Sequence, residues 1–501
     1  MNRITIRTPE TENGAPRRIN RHIYGHFAEH LGRCIYDGLY VGEESAIPNT
    51  RGFRKDIIEA LRAINIPNLR WPGGCFADEY HWRDGIGPKD QRPKRLNFWG
   101  NAPETNAVGT HEFLDLCEQL GCAPYFGGNV GSGTVQEMRD WVEYITSNYD
   151  SALSDLRRQN GREQAWPMPF WGIGNENWGC GGHMTPEQYA DLYSQYHTFV
   201  RNYGDTPMMK IASGLGGTEH NGQDIAVFMD RVMNRRHPVG MDGVSIHFYV
   251  FFPQKPEHSA TQFGEKEWFQ VLHEANHMDH VIQQNSKVLD QYDPDKKIWL
   301  VVDEWGAWYP VEPGTNPAFL YQQSAVRDAV VAALTLHIFQ AHCDRVQMAN
   351  LAQTVNVLQA LILTEGEKML LTPTYHVFEM FKGHQDATLL PMTVESDRYT
   401  VGDQHLPAFS ASASQAANGD TLLTLCNLKP SEACTIEVDL QDLNVSTVSG
   451  TQLVGDAINA HNTFDAPDRV KPSTFNGATL LENGQLRIEL PAASVVALTL
   501  R

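Results

Sequence analysis

The chain reads as a (β/α)8 TIM barrel followed by a C-terminal antiparallel β-sandwich. Three observations predict this. Strand-like apolar runs and longer helical patterns alternate from about residue 20 to about residue 380. After about residue 383 the texture changes to short β-rich runs separated by Gly, Asn, Asp and Pro. No G-x-G-x-x-G turn follows the first strand, which places an open doubly wound sheet second.

Taken in order, "NRITIR" alternates like a sandwich strand, so residues 1–18 are expected to join the second domain. The barrel is assigned to residues 19–383, with strands in "RHIYGHF", "IPNLRWPGG", "APYFGGNVG", "PFWGIGNEN", "MKIASG", "DGVSIHFY", "KIWLVVDEWG" and "RVQMANLAQTV". Between them lie helical patterns such as "GFRKDIIEALRAI", "THEFLDLCEQLG", "TVQEMRDWVEYI" and "TPEQYADLYSQYHTFVRNYG". The last opens with Thr185 as N-cap and Pro186 at the first helical position. Residues 384–501 form the sandwich, through "AFSASASQ", "TLLTLCNL", "CTIEVDL", "STVSGTQLVG", "LRIEL" and "SVVALTLR".

A formal net charge of −20 argues against nucleic-acid and anionic-membrane partners and leaves neutral substrates untouched. No apolar run is long enough to span a bilayer, and "MNRITIRTPE" lacks the apolar stretch of a secretory signal, so a cytoplasmic location is expected. The 8 Cys form no C-x-x-C pair, and free thiols are the expectation.

"HFAEH" places His26, Glu29 and His30 in the H-x-x-E-H spacing of some zinc peptidases. Zinc binding requires a helix that projects both imidazoles from one face. Gly25 and Gly32 bracket the motif, and the preceding residues have strand character, so a metal site is not expected.

Active sites of such barrels lie where strands pass into βα loops. Polar residues at the predicted strand ends are Glu29, Arg70, Asn129, Asn175, Glu176, His247, Tyr249, Glu304 and Gln353. A single Glu there could merely cap a helix or form an ion pair. Glu176 and Glu304 end the fourth and seventh strands, 128 residues apart, and can face each other across the mouth. Paired carboxylates are what glycoside hydrolysis needs: one protonates the departing oxygen, the other captures or stabilises an oxocarbenium-like centre. A metal hydrolase would need three ligands, and His247 is read as hydrogen-bonded scaffold. A noncatalytic sugar-binding protein would not need facing carboxylates.

"YGHFAEHLG", "LRWPGGCFAD", "WGIGNENWGCGG", "SIHFY" and "DEWGAWY", in this order, resemble the α-L-arabinofuranosidases of glycoside hydrolase family 51. The resemblance implies a retaining, exo-acting enzyme on arabinose-containing oligosaccharides, with Glu176 as acid/base and Glu304 as nucleophile. It also implies that Asn175 binds the sugar 2-hydroxyl, that Tyr249 holds the nucleophile, and that Glu29, Cys75, Trp308 and Gln353 contact the terminal arabinose. Arg70 would orient the carboxylates, and Trp99 and Asn129 are further candidates. No cofactor is implied, and a homo-oligomer, a hexamer, is. Gly306 departs from the pattern, where Asn is more usual after "DEW". A related retaining glycosidase acting on xylosides or β-glucans is the alternative.

Overall fold

A computed structural model describes residues 2–8, 16–214, 221–251, 258–440, 443–482 and 484–501. Eight strands close a barrel: β1 (Gly25–Phe27), β2 (Asn68–Trp71), β3 (Ala123–Gly128), β4 (Phe170–Ile173), β5 (Met209–Ala212), β6 (Gly243–Phe251), β7 (Trp299–Trp308) and β8 (Val346–Ala352). All pairings are parallel and follow chain order, and β8 returns to β1 with Asn350 opposite Gly25. Most strand residues are buried on both faces, as a helix-wrapped parallel sheet requires.

β1 is shorter than its apolar run. Asn20 caps a 3-10 turn over Arg21–Tyr24, and extended backbone begins only at Gly25. A side chain at Gly25 would lie 2.5 Å from Asn68 and 2.7 Å from the Ala349 carbonyl, so only glycine lets the strand close the barrel here.

The helices α1 (Lys55–Ala63), α2 (Thr110–Leu120), α3 (Val135–Thr146) and α4 (Pro186–Phe199) pack outside the strands. α4 begins at a capping box: Thr185 accepts from the Gln188 N–H and the Gln188 side chain accepts from the Thr185 N–H. Its end at Phe199 is earlier than the sequence pattern. α5 (Val326–Ala341) is apolar on every side and buried along nearly its whole length. Its burial has a cause: the helix is sandwiched between the barrel and the second domain, where His337 bonds Ser410 and Thr424.

Two antiparallel-rich sheets form that second domain. One has five strands, including Arg3–Ile6 between Met392–Glu395 and Cys434–Asp439; the other has six, centred on Thr421–Asn427 and Val495–Leu500. Ile4, Ile6, Leu423, Ile436, Leu486 and Val496 pack between the sheets. Leu428, Leu453, Ala460 and Val495 belong instead to the barrel's hydrophobic core, so the two domains share one apolar interior.

Candidate active site

The C-terminal ends of the strands surround a cavity of about 490 Å³. β7 supplies two consecutive acidic side chains, although strand alternation should send one outward. Its pairing slips against β6 between Ser245 and His247, and against β8 between Val302 and Trp305. The extra residue on β7 is a bulge, and it turns both Asp303 and Glu304 inward.

Arg70, at the end of β2, is 1% exposed and forks beneath the cavity. Its Nη1 donates to Glu304 Oε1 at 2.9 Å, its Nη2 to Asn175 Oδ1 at 2.6 Å, and its Nε lies 3.4 Å from Asp303 Oδ2. Glu304 Oε2 accepts from the Tyr249 hydroxyl at 2.8 Å. Asp303 accepts from the Tyr125 hydroxyl at 2.7 Å. Burial opposes ionisation of Asp303, but the Arg70 charge and a hydrogen bond from His247 bring its pKa down to about 2.

His247 is the electrostatic hinge of the site. Its Nδ1 lies 2.8 Å from Glu176 Oε1 and 3.5 Å from Glu304 Oε2, and its Nε2 lies 3.1 Å from Asp303 Oδ1. Burial favours the neutral ring, yet Glu304, Asp303 and Glu176 together raise its pKa to about 10, so the ring is an imidazolium. One oxygen of Glu176, one of Glu304 and a ring nitrogen of His247 all lie within 4.8 Å of one another.

Glu176 follows a sharp turn at the end of β4. Gly174 has φ +87°, and a side chain there would meet Asn177 at 2.8 Å; Glu176 itself has φ +38°. Left-handed backbone at a non-glycine residue must be held by its surroundings. Asp78 supplies much of that support: it is buried and accepts N–H bonds from Val130, Gly131 and Asn175, tying together the loops after β2, β3 and β4.

Glu29 lies on the opposite wall. It accepts from the Phe76 N–H at 3.1 Å, the Gln353 amide at 3.0 Å and the Trp99 indole at 3.3 Å. Burial, then the charge of Glu304, raises its pKa to about 7. The surrounding motif is a strand end and a turn, not a helix. His26 points into the core against Phe378, with its pKa lowered to about 3 by burial. His30 accepts from the Trp71 indole through Nε2 and bonds Glu104 through Nδ1. The two imidazoles thus serve different partners.

Cys75 requires a correction. The sequence reading made every cysteine a free thiol, but Cys75 and Cys180 form a disulfide, with Cα atoms 5.6 Å apart, joining the loops after β2 and β4. Two cysteines separated by 105 residues carry no local signal of pairing; only the fold brings them together. Cys75 still lines the cavity, as a half-cystine.

Trp308 and Trp99 line the cavity with Glu29, Tyr249 and Gln353. Asn129 does not reach it: its amide holds Tyr80 and the turn at Ser132 and Gly133. Trp178, Phe251 and Glu274 also line the cavity and were not singled out from the sequence, because nothing in their local pattern separates them from core or surface residues. Asp303 is absent from the strand-end candidates, and it is the bulge on β7 that brings it inward. Gly306, where the family pattern has Asn, has φ +143°, a backbone conformation that side chains rarely adopt.

Residues 60–249 match the α-L-arabinofuranosidase 1 domain family, and residues 303–494 match the α-L-arabinofuranosidase C-terminal domain family. An intracellular exo-α-L-arabinofuranosidase of Bacteroides ovatus is 48% identical over 96% of this chain and 93% of its own. The crystal structure of the family 51 arabinofuranosidase from Xanthomonas axonopodis pv. citri superposes with a TM-score of 0.95 at 45% identity over all of both chains. The arabinose complex of the Thermotoga maritima α-L-arabinofuranosidase gives a TM-score of 0.86 at 30% identity, covering 100% of this chain and 99% of that one. With the barrel, the sandwich and the facing carboxylates already in place, the chain belongs to the α-L-arabinofuranosidases of glycoside hydrolase family 51.

Proposed function

We propose that this protein is a retaining, exo-acting α-L-arabinofuranosidase in which Glu304 is the nucleophile and Glu176 the acid/base. The observation that carries this reading is the close approach of the two carboxylates, one oxygen of Glu176 lying within 4.8 Å of one oxygen of Glu304. Retaining glycosidases hold their carboxyl groups about 5–5.5 Å apart, whereas inverting ones leave about 6.5–9.5 Å for a water.

In the first step a Glu304 oxygen attacks the anomeric carbon while Glu176 delivers its proton to the departing glycosidic oxygen. In the second, Glu176 takes a proton from water, whose oxygen displaces Glu304 from the sugar. Arg70 and Tyr249 each hold one oxygen of Glu304, fixing its direction of attack. Asn175 Oδ1 accepts from Arg70, which fixes the amide plane and leaves Nδ2, 3.8 Å from Cys180 Sγ, as the donor for the sugar 2-hydroxyl. Glu29 and Gln353 receive other hydroxyls of the terminal arabinose, Trp308 forms an aromatic wall, and Cys75 contributes its backbone. No cofactor takes part in these steps.

Among the described residues, no helix is long and apolar enough to cross a membrane. The Bacteroides ovatus relative bears the word intracellular in its name, which supports action in the cytoplasm on arabinose-containing oligosaccharides. Homo-oligomerisation, as a hexamer, follows from the family resemblance and is read directly by light scattering on the eluted protein.

The test separates the two carboxylates. Glu176→Ala should fail on oligosaccharides, whose leaving oxygen needs a proton, yet still form the glycosyl-enzyme from an activated aryl arabinofuranoside. Azide should then speed its turnover and yield the α-azide. Glu304→Ala should fail on both substrates. Activity of Glu304→Ala on the aryl glycoside together with loss in Glu176→Ala would reverse the roles.

A further inference from the structure

The disulfide is more than a tether between loops. Cys180 Sγ lies 3.2 Å and Cys75 Sγ 3.7 Å from Glu176 Oε2. Neither sulfur carries a hydrogen in the bonded form, so these are contacts of the acid/base carboxylate with two sulfur atoms. Both sulfurs and a Glu176 oxygen lie within 4.8 Å of one another. Cys180 is exposed and Cys75 faces the cavity, so a small reductant reaches the bond from solvent. The remaining cysteines among the described residues are buried or half-buried.

The loops would stay together after the S–S bond opens. Asp78 keeps its three N–H bonds to Val130, Gly131 and Asn175. The turn that carries Cys180 is closed on its own backbone, with the Gly179 and Gly181 N–H groups both donating to the Glu176 carbonyl. Reduction therefore leaves two thiols beside Glu176. Two thiolates and a carboxylate are a donor set for a soft or borderline divalent cation such as Zn²⁺ or Cd²⁺, and a poor one for Mg²⁺ or Ca²⁺. A disulfide offers no such ligands.

We propose that Cys75, Cys180 and Glu176 form a redox-gated metal site, closed in the disulfide form and open in the dithiol form, and that a metal bound there arrests the enzyme by occupying Glu176. The arrest rests on Glu176 as acid/base; the binding does not. Opening the site needs two electrons. A phosphine reductant supplies them, taking oxygen from water to become the phosphine oxide while both sulfurs gain protons. In a cell, two molecules of a small thiol do the same and leave as their own disulfide. On binding the metal, each Cys releases its proton to solvent and Glu176 donates a carboxylate lone pair. A reducing compartment would hold the protein in the metal-sensitive form.

The test uses the full chain, oxidised or treated with a phosphine that is then removed, and titrated with CdCl₂. Thiolate-to-Cd²⁺ absorption reads binding, and hydrolysis of an arabino-oligosaccharide reads activity. In the reduced protein both should change together and saturate at one Cd²⁺ per chain, with activity lost and then restored by EDTA. The oxidised protein and reduced Cys180→Ser should show neither change; Cys75→Ala serves if Cys180→Ser does not accumulate. Equal inhibition of the oxidised protein or of Cys180→Ser would move the metal to the Glu176–His247–Glu304 cluster and overturn the proposal. Failure of phosphine to release two additional thiols from the folded protein would also overturn it. Cd²⁺–thiolate absorption without loss of activity would refute the arrest through Glu176 while leaving the metal site standing.

Discussion

Gly74 stands where the β2 loop presses against the Glu304 carboxylate. A methyl group there would meet Glu304 Oε1 at 2.8 Å, with Glu29 Oε1 and Phe27 Cζ each at 3.3 Å. Ordinary contact begins at 3.4 Å, so Gly74→Ala forces the carboxylate, or the loop, to move by about 0.6 Å. That same oxygen receives the Arg70 Nη1 bond of 2.9 Å. A misplacement of about 1 Å at a reacting group can cost roughly 100-fold in rate. Loss of a hydrogen bond to a charged group costs about 1.5–3 kcal/mol, or roughly 10- to 150-fold. Gly74→Ala should accordingly lower kcat on p-nitrophenyl α-L-arabinofuranoside by about 10- to 100-fold, with a smaller effect on thermal stability. Gly366→Ala is the control. Its φ of +56° strains any side chain, but nothing lies within 4 Å of the added carbon, so it should lose stability and keep kcat. A kcat for Gly74→Ala close to the parent's would refute the claim that this glycine is fixed by its approach to Glu304.

Two buried groups carry opposite pH signatures. Glu29 has its pKa raised to about 7, so the folded chain holds this proton more tightly than the unfolded one, and the resulting stability is lost as pH rises from about 4.5 through 7. Glu29→Gln should therefore raise the Tm at pH 8, by at most about 3 kcal/mol of stability, and the gap should close below pH ~4.5 while activity is lost; an equal Tm difference at both pH values would contradict this. His26 is buried, both ring nitrogens lack a hydrogen-bond partner among the described residues, and its pKa is lowered to about 3. Its neutral form stabilises the fold above the unfolded value of 6.5, and that stability falls away as pH drops toward 3. His26→Leu should protect the protein more at pH ~5 than at pH ~8 in thermal denaturation, with a slope of up to about 1.4 kcal/mol per pH unit removed; greater acid sensitivity in the variant would refute the neutral, unpaired assignment.

The barrel was legible because a parallel strand wrapped by helices must be apolar on both faces, and such runs recur eight times in the chain. Thr185, Pro186 and Gln188 were legible as a helix start because capping is local chemistry. Glu176 and Glu304 stood out because charge at the end of a buried strand is costly without a purpose. What escaped depended on relations between distant segments. The Cys75–Cys180 bond follows from where two loops meet, and no motif marks it. The inward turn of Asp303 follows from a bulge measured against β6 and β8, and a single strand's alternation cannot contain it. The His247 imidazolium exists because three carboxylates from two other strands converge on one ring.

The double displacement is tested most directly by the stereochemistry of the first product. With methanol as acceptor and an aryl α-L-arabinofuranoside as donor, proton NMR of the early reaction distinguishes the two anomers of the methyl glycoside, which do not mutarotate, before the enzyme consumes the product again. Attack by Glu304 and then by methanol on the face Glu176 serves inverts the centre twice and should yield methyl α-L-arabinofuranoside. Methyl β-L-arabinofuranoside as the first product would mean a single displacement, and would contradict the roles assigned to both carboxylates.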